Sequence, residues 1–473
     1  MKIRFRKDTN IRKDHTSLKT KPIGEVFANT ELEVDETLHD GADLNGKNHW
    51  WRDQNGWYYW AGATETISSA ENKPAQIQTP ETPLATTTPS TIPPVVAAEL
   101  VALPVPDDHL AKGNKIPEGE WQPDEPGTTP KIPKVRPSIK PTKPNPTGDS
   151  LPSPLQQIIN NGRSISTDEL NQLVHRPAAK ELQTRLCDLG ILDPEIGGDS
   201  KMPFGPIGKG DGIIGANSRA AISEFCKLAK LPYLEKQLTV KILKTLVAAN
   251  PDTFLPIEFG NASDDTVSTR LVKRILRYMQ TKGYWIARSP RMRNIVYVEG
   301  LNPDGTLNTD TANQWNDRRI VFRIAPNGRP EMLVNDQTTT EPGSHYTWNP
   351  LNPNGAARIA FGQYKAWAVG LHKGVQPALV QREKLRLHRD LNKDGFRSKN
   401  DPIDIGKTFG INQHSTRAGT PPEFVDSYSA GCLVGRRYAW HLSFLNIVKQ
   451  DERYRQNQGY LFISTIIPGD DLP

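Results

Sequence analysis

The chain's 473 residues exceed what one ordinary hydrophobic core holds, so two to four domains are expected, and forty prolines, many of them clustered, assign part of the length to linker. The net charge of +6 comes from 59 basic and 53 acidic residues, interspersed along most of the chain. That is too mild and diffuse to indicate nucleic acid, and it suits work near an anionic cell wall.

The N-terminus MKIRFRKDTNIRKD has no apolar run of signal-peptide length, and no later stretch approaches the ~20 apolar residues of a membrane span. The expectation is a protein made in the cytoplasm that either begins after processing or leaves its cell by another route. Residues 1–66 alternate short β-type runs (KIRFR, IGEVFA, LEVDETL) and close on NHWWRDQNGWYYWAG, which reads as a small all-β barrel. Trp50, Trp51, Trp57, Tyr58, Tyr59 and Trp60 offer more aromatic surface than so small a core holds. Either half are core and the rest scattered surface, or Trp51, Trp57 and Trp60 belong to a face that binds glycan or peptide. The pattern resembles bacterial SH3-like domains that bind cell walls.

Residues 67–150 change to Pro, Thr and Lys (TPETPLATTTPSTIPPVV, PKIPKVRPSIKPTKPNP) and read as an extended, partly polyproline linker between modules that reach different places. Helical periodicity returns over 151–252, with Leu182, Leu186 and Leu189 on one face and Ala221, Ile222, Phe225 and Leu228 on another. Cys187 and Cys226 occupy apolar positions of these periods and read as buried; three cysteines cannot all pair, so at least one thiol is free. Asn217 or Ser218 is a candidate N-cap. The order LQ..L..LG, then DG..G..S..A..F, resembles peptidoglycan-binding domains found beside wall-degrading enzymes, with a longer insert before DG; the plain alternative is a helical spacer.

Over 253–473 a helix (TRLVKRILRYMQTKGY) precedes β-runs (NIVYVEG, RRIVFRI, PEMLV, GQYKAWAVGLH, PALVQ, FGINQH), giving a mostly β (α+β) domain. Here His414 stands eighteen residues before Cys432, in FGINQHSTRAGTPPEFVDSYSAGC. A strand, a loop and a Gly-flanked turn of this length can return the imidazole to the thiol, and a paired imidazolium would lower the thiol from its free pKa of about 8.5. Ser429, Ala430 and Gly431 let the backbone approach an acyl carbon, with amides aimed at an oxyanion.

A histidine, a spacer and then Ser-Ala-Gly-Cys resembles the signature of L,D-transpeptidases of the YkuD-like fold, over roughly residues 265–465. The resemblance implies Cys432 as nucleophile, His414 as base, the Ser415 carbonyl orienting its ring, and a peptidoglycan stem peptide as substrate. It also implies a substrate-facing hairpin at TTTEPGSHYTWNP and substrate contacts at Tyr364, His372, Ser429, Ala430 and Arg436, with a hydrogen-bonded structural histidine as the alternative for His372. Ala430 stands where the family has histidine, and Arg436 or Arg437 would stand in for an arginine two residues beyond the family's cysteine. Both differences leave hydrolysis and cross-linking open.

RDLNKDGFRSKND places Asp390, Asn392, Asp394, Gly395 and Asp401 at offsets that converge in calcium loops, with an Asx-rich turn as the alternative. No cofactor is required, and calcium is the one candidate ion. His441 reads as a packing or capping residue on a helix. The expected protein is a multidomain wall-active enzyme, acting at the cell wall or in the periplasm or carried on a phage-tail-like particle. The competing class is a non-catalytic wall-binding component of such a particle. Peptidoglycan is the expected partner; nucleic acid and a membrane span are not.

Overall fold

The computed structural model describes residues 1–6, 9–19, 24–26, 31–44, 46–54, 56–67, 152–234, 236–261, 263 and 265–473. The expected linker, 67–150, lies outside them apart from Ile67. The fold is mixed α/β, built around a closed eight-stranded barrel. Among the described residues no helix is long and apolar enough to cross a membrane.

Near the N-terminus, alternation does form strands. Lys2–Phe5 pairs antiparallel with Glu31–Glu33 and Thr64–Ile67, and Lys47–Arg52 pairs with His39–Leu44 and Tyr58–Trp60. The second sheet then continues through Thr9–Arg12 and Gly24–Val26 onto Tyr233–Leu234 of the helical region. Leu234 completes this core with Ile3, Phe5, Ile11, Val34, Trp51 and Tyr59. The expected aromatic binding face is largely interior. Trp51 and Trp60 are buried, with indole N–H groups donating to Thr64 Oγ1 (2.9 Å) and the Lys47 carbonyl (3.1 Å), because successive strand residues face opposite sides and both sides are covered. Trp57 is half-buried and packs on the same core.

In the helical region, Arg176–Asp188 and Ala216–Leu228 bury Leu182, Leu186, Ala221, Ile222 and Phe225 in one core, together with Cys187 and Cys226. The second helix is capped by Gly215, neither by Asn217 nor by Ser218. Ser218 lies inside the first turn, where its hydroxyl accepts from Gln183 Nε2 at 3.1 Å. The insert before DG is a hairpin, Glu195–Gly197 with Gly205–Gly208. Beside it Phe204 stacks on Tyr364 (5.1 Å between centroids) and its carbonyl accepts from Gln363 N (2.9 Å), so the insert plugs into the barrel's core. Arg453 adds a buried bridge from the barrel side to Asp193 at 2.8 Å.

The barrel runs in the order Asn294–Glu299, Asp317–Ile324, Pro330–Thr339, Leu433–Gly435, Gln413–Ser415, Gln376–Gln381, Gly362–His372, Phe462–Pro468, and closes back on the first strand. Alternate residues divide between two cores. Val296, Val298, Ile320 and Phe322 pack on Leu271, Ile275 and Met279 of the helix Val267–Lys282, which Thr266 caps and Gly283 ends at φ +70°. Ile295, Tyr297 and Val321 pack instead with Phe444, Leu445 and Val448 of the helix Tyr438–Val448. The segment expected as a substrate-facing hairpin is the end of the strand Pro330–Thr339 followed by a short helix, Ser344–Trp348.

Candidate active site

Two short barrel strands, Gln413–Ser415 and Leu433–Gly435, lie side by side and parallel, with His414 opposite Val434. Extending this register one residue sets Asn412 opposite Cys432. Alternation then puts Asn412, His414, Cys432 and Val434 on one face. This is how eighteen residues of sequence separation become contact: a ring nitrogen of His414, one of His372 and Cys432 Sγ all lie within 4.8 Å of one another. His414 Nδ1 donates to the Ser415 carbonyl at 2.9 Å, which leaves the lone pair on Nε2. Gln376 Nε2 donates to that same carbonyl (3.1 Å) and to the carbonyl of Thr416 (3.0 Å), fixing its direction.

Cys432 is 8% exposed and packs with Trp315, Val425 and Val434. Its sulfur accepts from Asn412 N and donates to the Gly410 carbonyl, both at 3.4 Å. Burial pushes the thiol up to about 11, against the donation from Asn412, and burial followed by the neighbouring His372 pushes His414 down to about 3. The resting pair is therefore neutral thiol and neutral imidazole. Burial, which disfavours the charged form of each group, works against the expected imidazolium.

The turn before Cys432 is braced from within. Gly431 adopts φ +116°, its amide donates to Ser429 Oγ (3.1 Å), and that hydroxyl donates to the Cys432 carbonyl (2.9 Å). Ser429 is thus a buried structural residue in place of an expected substrate contact, and the Gly431 amide is already engaged. Ala430 is half-buried beside it.

Arg436 donates to the Pro422 carbonyl and to Gln337 Oε1, both at 3.0 Å, and lines a cavity of about 400 Å³ with Trp315, Gln337 and Glu423. Trp315 also belongs to the small apolar cluster that contains Cys432. Tyr364 is a core residue: fully buried, it donates to the Ala360 carbonyl at 2.7 Å. His441 is buried as well, its Nδ1 accepting from Arg319 (3.0 Å) and its Nε2 donating to the Pro377 carbonyl (2.9 Å).

In the 390–401 loop the acids serve the loop. Asp390 accepts the amides of Asp394 (3.0 Å) and Gly395 (2.9 Å), Asp394 accepts from Asn392 Nδ2 (2.6 Å), and Asp401 accepts from Ser398 N (2.7 Å) and Oγ (2.9 Å). Asp394 also accepts the Phe396 amide two residues on (2.8 Å), an Asx turn. Among the described residues, the clusters whose ligand atoms converge are His372, His414 and Cys432, and separately Glu299, Asp310 and Glu341. The second cluster is offset by Arg358 and Arg397, which pair with Glu299.

Asn412, Gln376 and Trp315 carry no motif in the sequence. For Asn412 the signal was its place two residues before His414 on a strand, which becomes informative once the parallel partner is known. No family model, curated protein or solved structure matches the chain.

Proposed function

We propose that this protein is a cysteine-dependent peptidoglycan-processing enzyme that cleaves or exchanges stem-peptide bonds through an acyl-enzyme. The observation carrying the reading is the set of three groups in working order: Cys432 Sγ, the His414 ring beside it, and the Ser415 carbonyl that holds His414 in the tautomer a general base needs. The Cys432 proton passes to His414 Nε2 as sulfur bonds the carbonyl carbon. His414 then protonates the departing nitrogen. Water or an amine resolves the thioester, giving hydrolysis or transpeptidation. The SH3-like, peptidoglycan-binding and L,D-transpeptidase resemblances support the wall as substrate, reached in the periplasm or from a phage-tail-like particle.

Incubating peptidoglycan with the protein and with Cys432→Ala, then weighing the muropeptides, tests this. The wild type is expected to yield shortened stems (hydrolysis) or new cross-links and exchanged termini (transpeptidation). Identical profiles for the two proteins would leave only the reading of a non-catalytic wall-binding component.

A further inference from the structure

The nucleophile turn supplies fewer oxyanion donors than its small residues suggest. The Gly431 amide is held by Ser429 Oγ at 3.1 Å, and alanine at 430 offers no side-chain donor. A carbonyl attacked by Cys432 develops negative charge, which a side-chain donor beside the remaining amides of Ala430 and Cys432 would stabilise further.

His372 is placed to provide it. It ends the strand Gly362–His372 and stacks face to face on His414, with centroids 3.9 Å apart and planes 10° from parallel. His414 and Cys432 are buried whereas His372 is half-buried, so His372 is the most exposed member of the cluster. Asn412 decides where its proton sits. Asn412 Oδ1 accepts the Gln381 amide at 2.9 Å, so its Nδ2 faces His372 Nδ1, also at 2.9 Å. A neutral ring that accepts at Nδ1 carries its hydrogen on Nε2. Burial holds His372 neutral, down to about 4. His414 is the mirror case, with hydrogen on Nδ1 and a lone pair on Nε2. The same tautomer leaves His372 no lone pair for a metal shared with His414 and Cys432.

We propose that His372 is a second catalytic imidazole, donating Nε2–H to the oxygen of the carbonyl that Cys432 attacks. This rests on acyl transfer at Cys432. The thiol proton moves to His414 Nε2 and the S–C bond forms. The carbonyl π pair moves to oxygen, where the His372 N–H holds it without transfer. On collapse the pair returns, the bond to the leaving group breaks, and a leaving nitrogen takes the proton from His414.

Two probes separate this donor from the base. Iodoacetamide alkylates a thiol at saturated carbon and forms no oxyanion; p-nitrophenyl acetate acylates it through one, releasing p-nitrophenolate. Both are followed on the full chain by intact mass, with Cys432→Ser as blank. His372→Ala is expected to alkylate within about twofold of wild type yet to acylate about 10²-fold more slowly. His372→Gln, whose amide N–H₂ falls near Nε2, is expected to recover about tenfold of that loss. Matching melting curves for the variants establish that they fold. Parallel loss of both reactions would make His372 a positioning residue for His414 and overturn the proposal, as would no loss in either, or a wild type that alkylates at Cys432 without acylating. His372-dependent acylation in a protein that leaves peptidoglycan unchanged would support the donor while removing the wall substrate.

Discussion

Gly431 shows how narrowly the turn before Cys432 is built. At φ +116° the backbone favours glycine, and a Cβ there would stand 2.3 Å from the Ala357 carbonyl oxygen. Strain and overlap together predict that Gly431→Ala loses about 3 kcal/mol or more. The denaturant midpoint checks this, and Cys432 acylation should disappear with it. Beside it, the thiol's titration gives a second prediction. With the folded pKa pushed up to about 11, the thiolate fraction is small at neutral pH, so Cys432 alkylation should keep rising through pH 10. A plateau below pH 8 would mean a standing thiolate–imidazolium pair.

Among elements, the parallel pair of three-residue strands does what the spacing of His414 and Cys432 only permitted. Its register sets both on one face, and the hairpin that carries His372 and Gln376 pairs alongside through Leu379 and Gln413, with His372 stacked on the His414 ring. The insert hairpin has a different part. Phe204, 4% exposed, sits in the barrel's core, so Phe204→Ala should cost about 3–5 kcal/mol and loosen the helical region from the barrel. Calorimetry reads this as one transition in the wild type becoming two in the variant; a single transition with an unchanged midpoint would show that Phe204 does not couple them.

Across the whole molecule, Glu299, Asp317 and Glu341 form a buried network with Arg358 and Arg397, beside the half-buried Asp310 and bonded to Thr340 just past the strand Pro330–Thr339. The arginines hold Glu299 down near 2, whereas burial, then Glu299 and Asp310, push Asp317 up to about 8. A carboxyl whose folded pKa is raised binds its proton more tightly when folded, so its contribution is lost as pH rises towards 8. The histidines at 372, 414 and 441 are lowered and act oppositely, but only below their unfolded value near 6.5. Between pH 6.5 and 8 Asp317 dominates among these groups. Stability should therefore fall across that window, and Asp317→Asn should flatten the slope whatever its absolute stability. A wild-type midpoint that stays level from pH 6.5 to 8 would sink this assignment.

Periodicity and composition alone determined the alternation of β-runs near the N-terminus, the helices around Leu182 and Phe225, the helix Val267–Lys282 and the burial of Cys187 and Cys226. These follow from local spacing and from which residues leave water. The sequence also marked His414 and Cys432 by their chemistry and their glycine-flanked turn. Only tertiary structure decided that Trp51, Trp60, Tyr364 and Ser429 point inward, since strand direction and covering layers settle which face of an alternating run is interior. It likewise decided the proton positions on His372 and His414. Those depend on Asn412, Gln381 and the Ser415 carbonyl, partners joined by barrel closure and not by nearness along the chain.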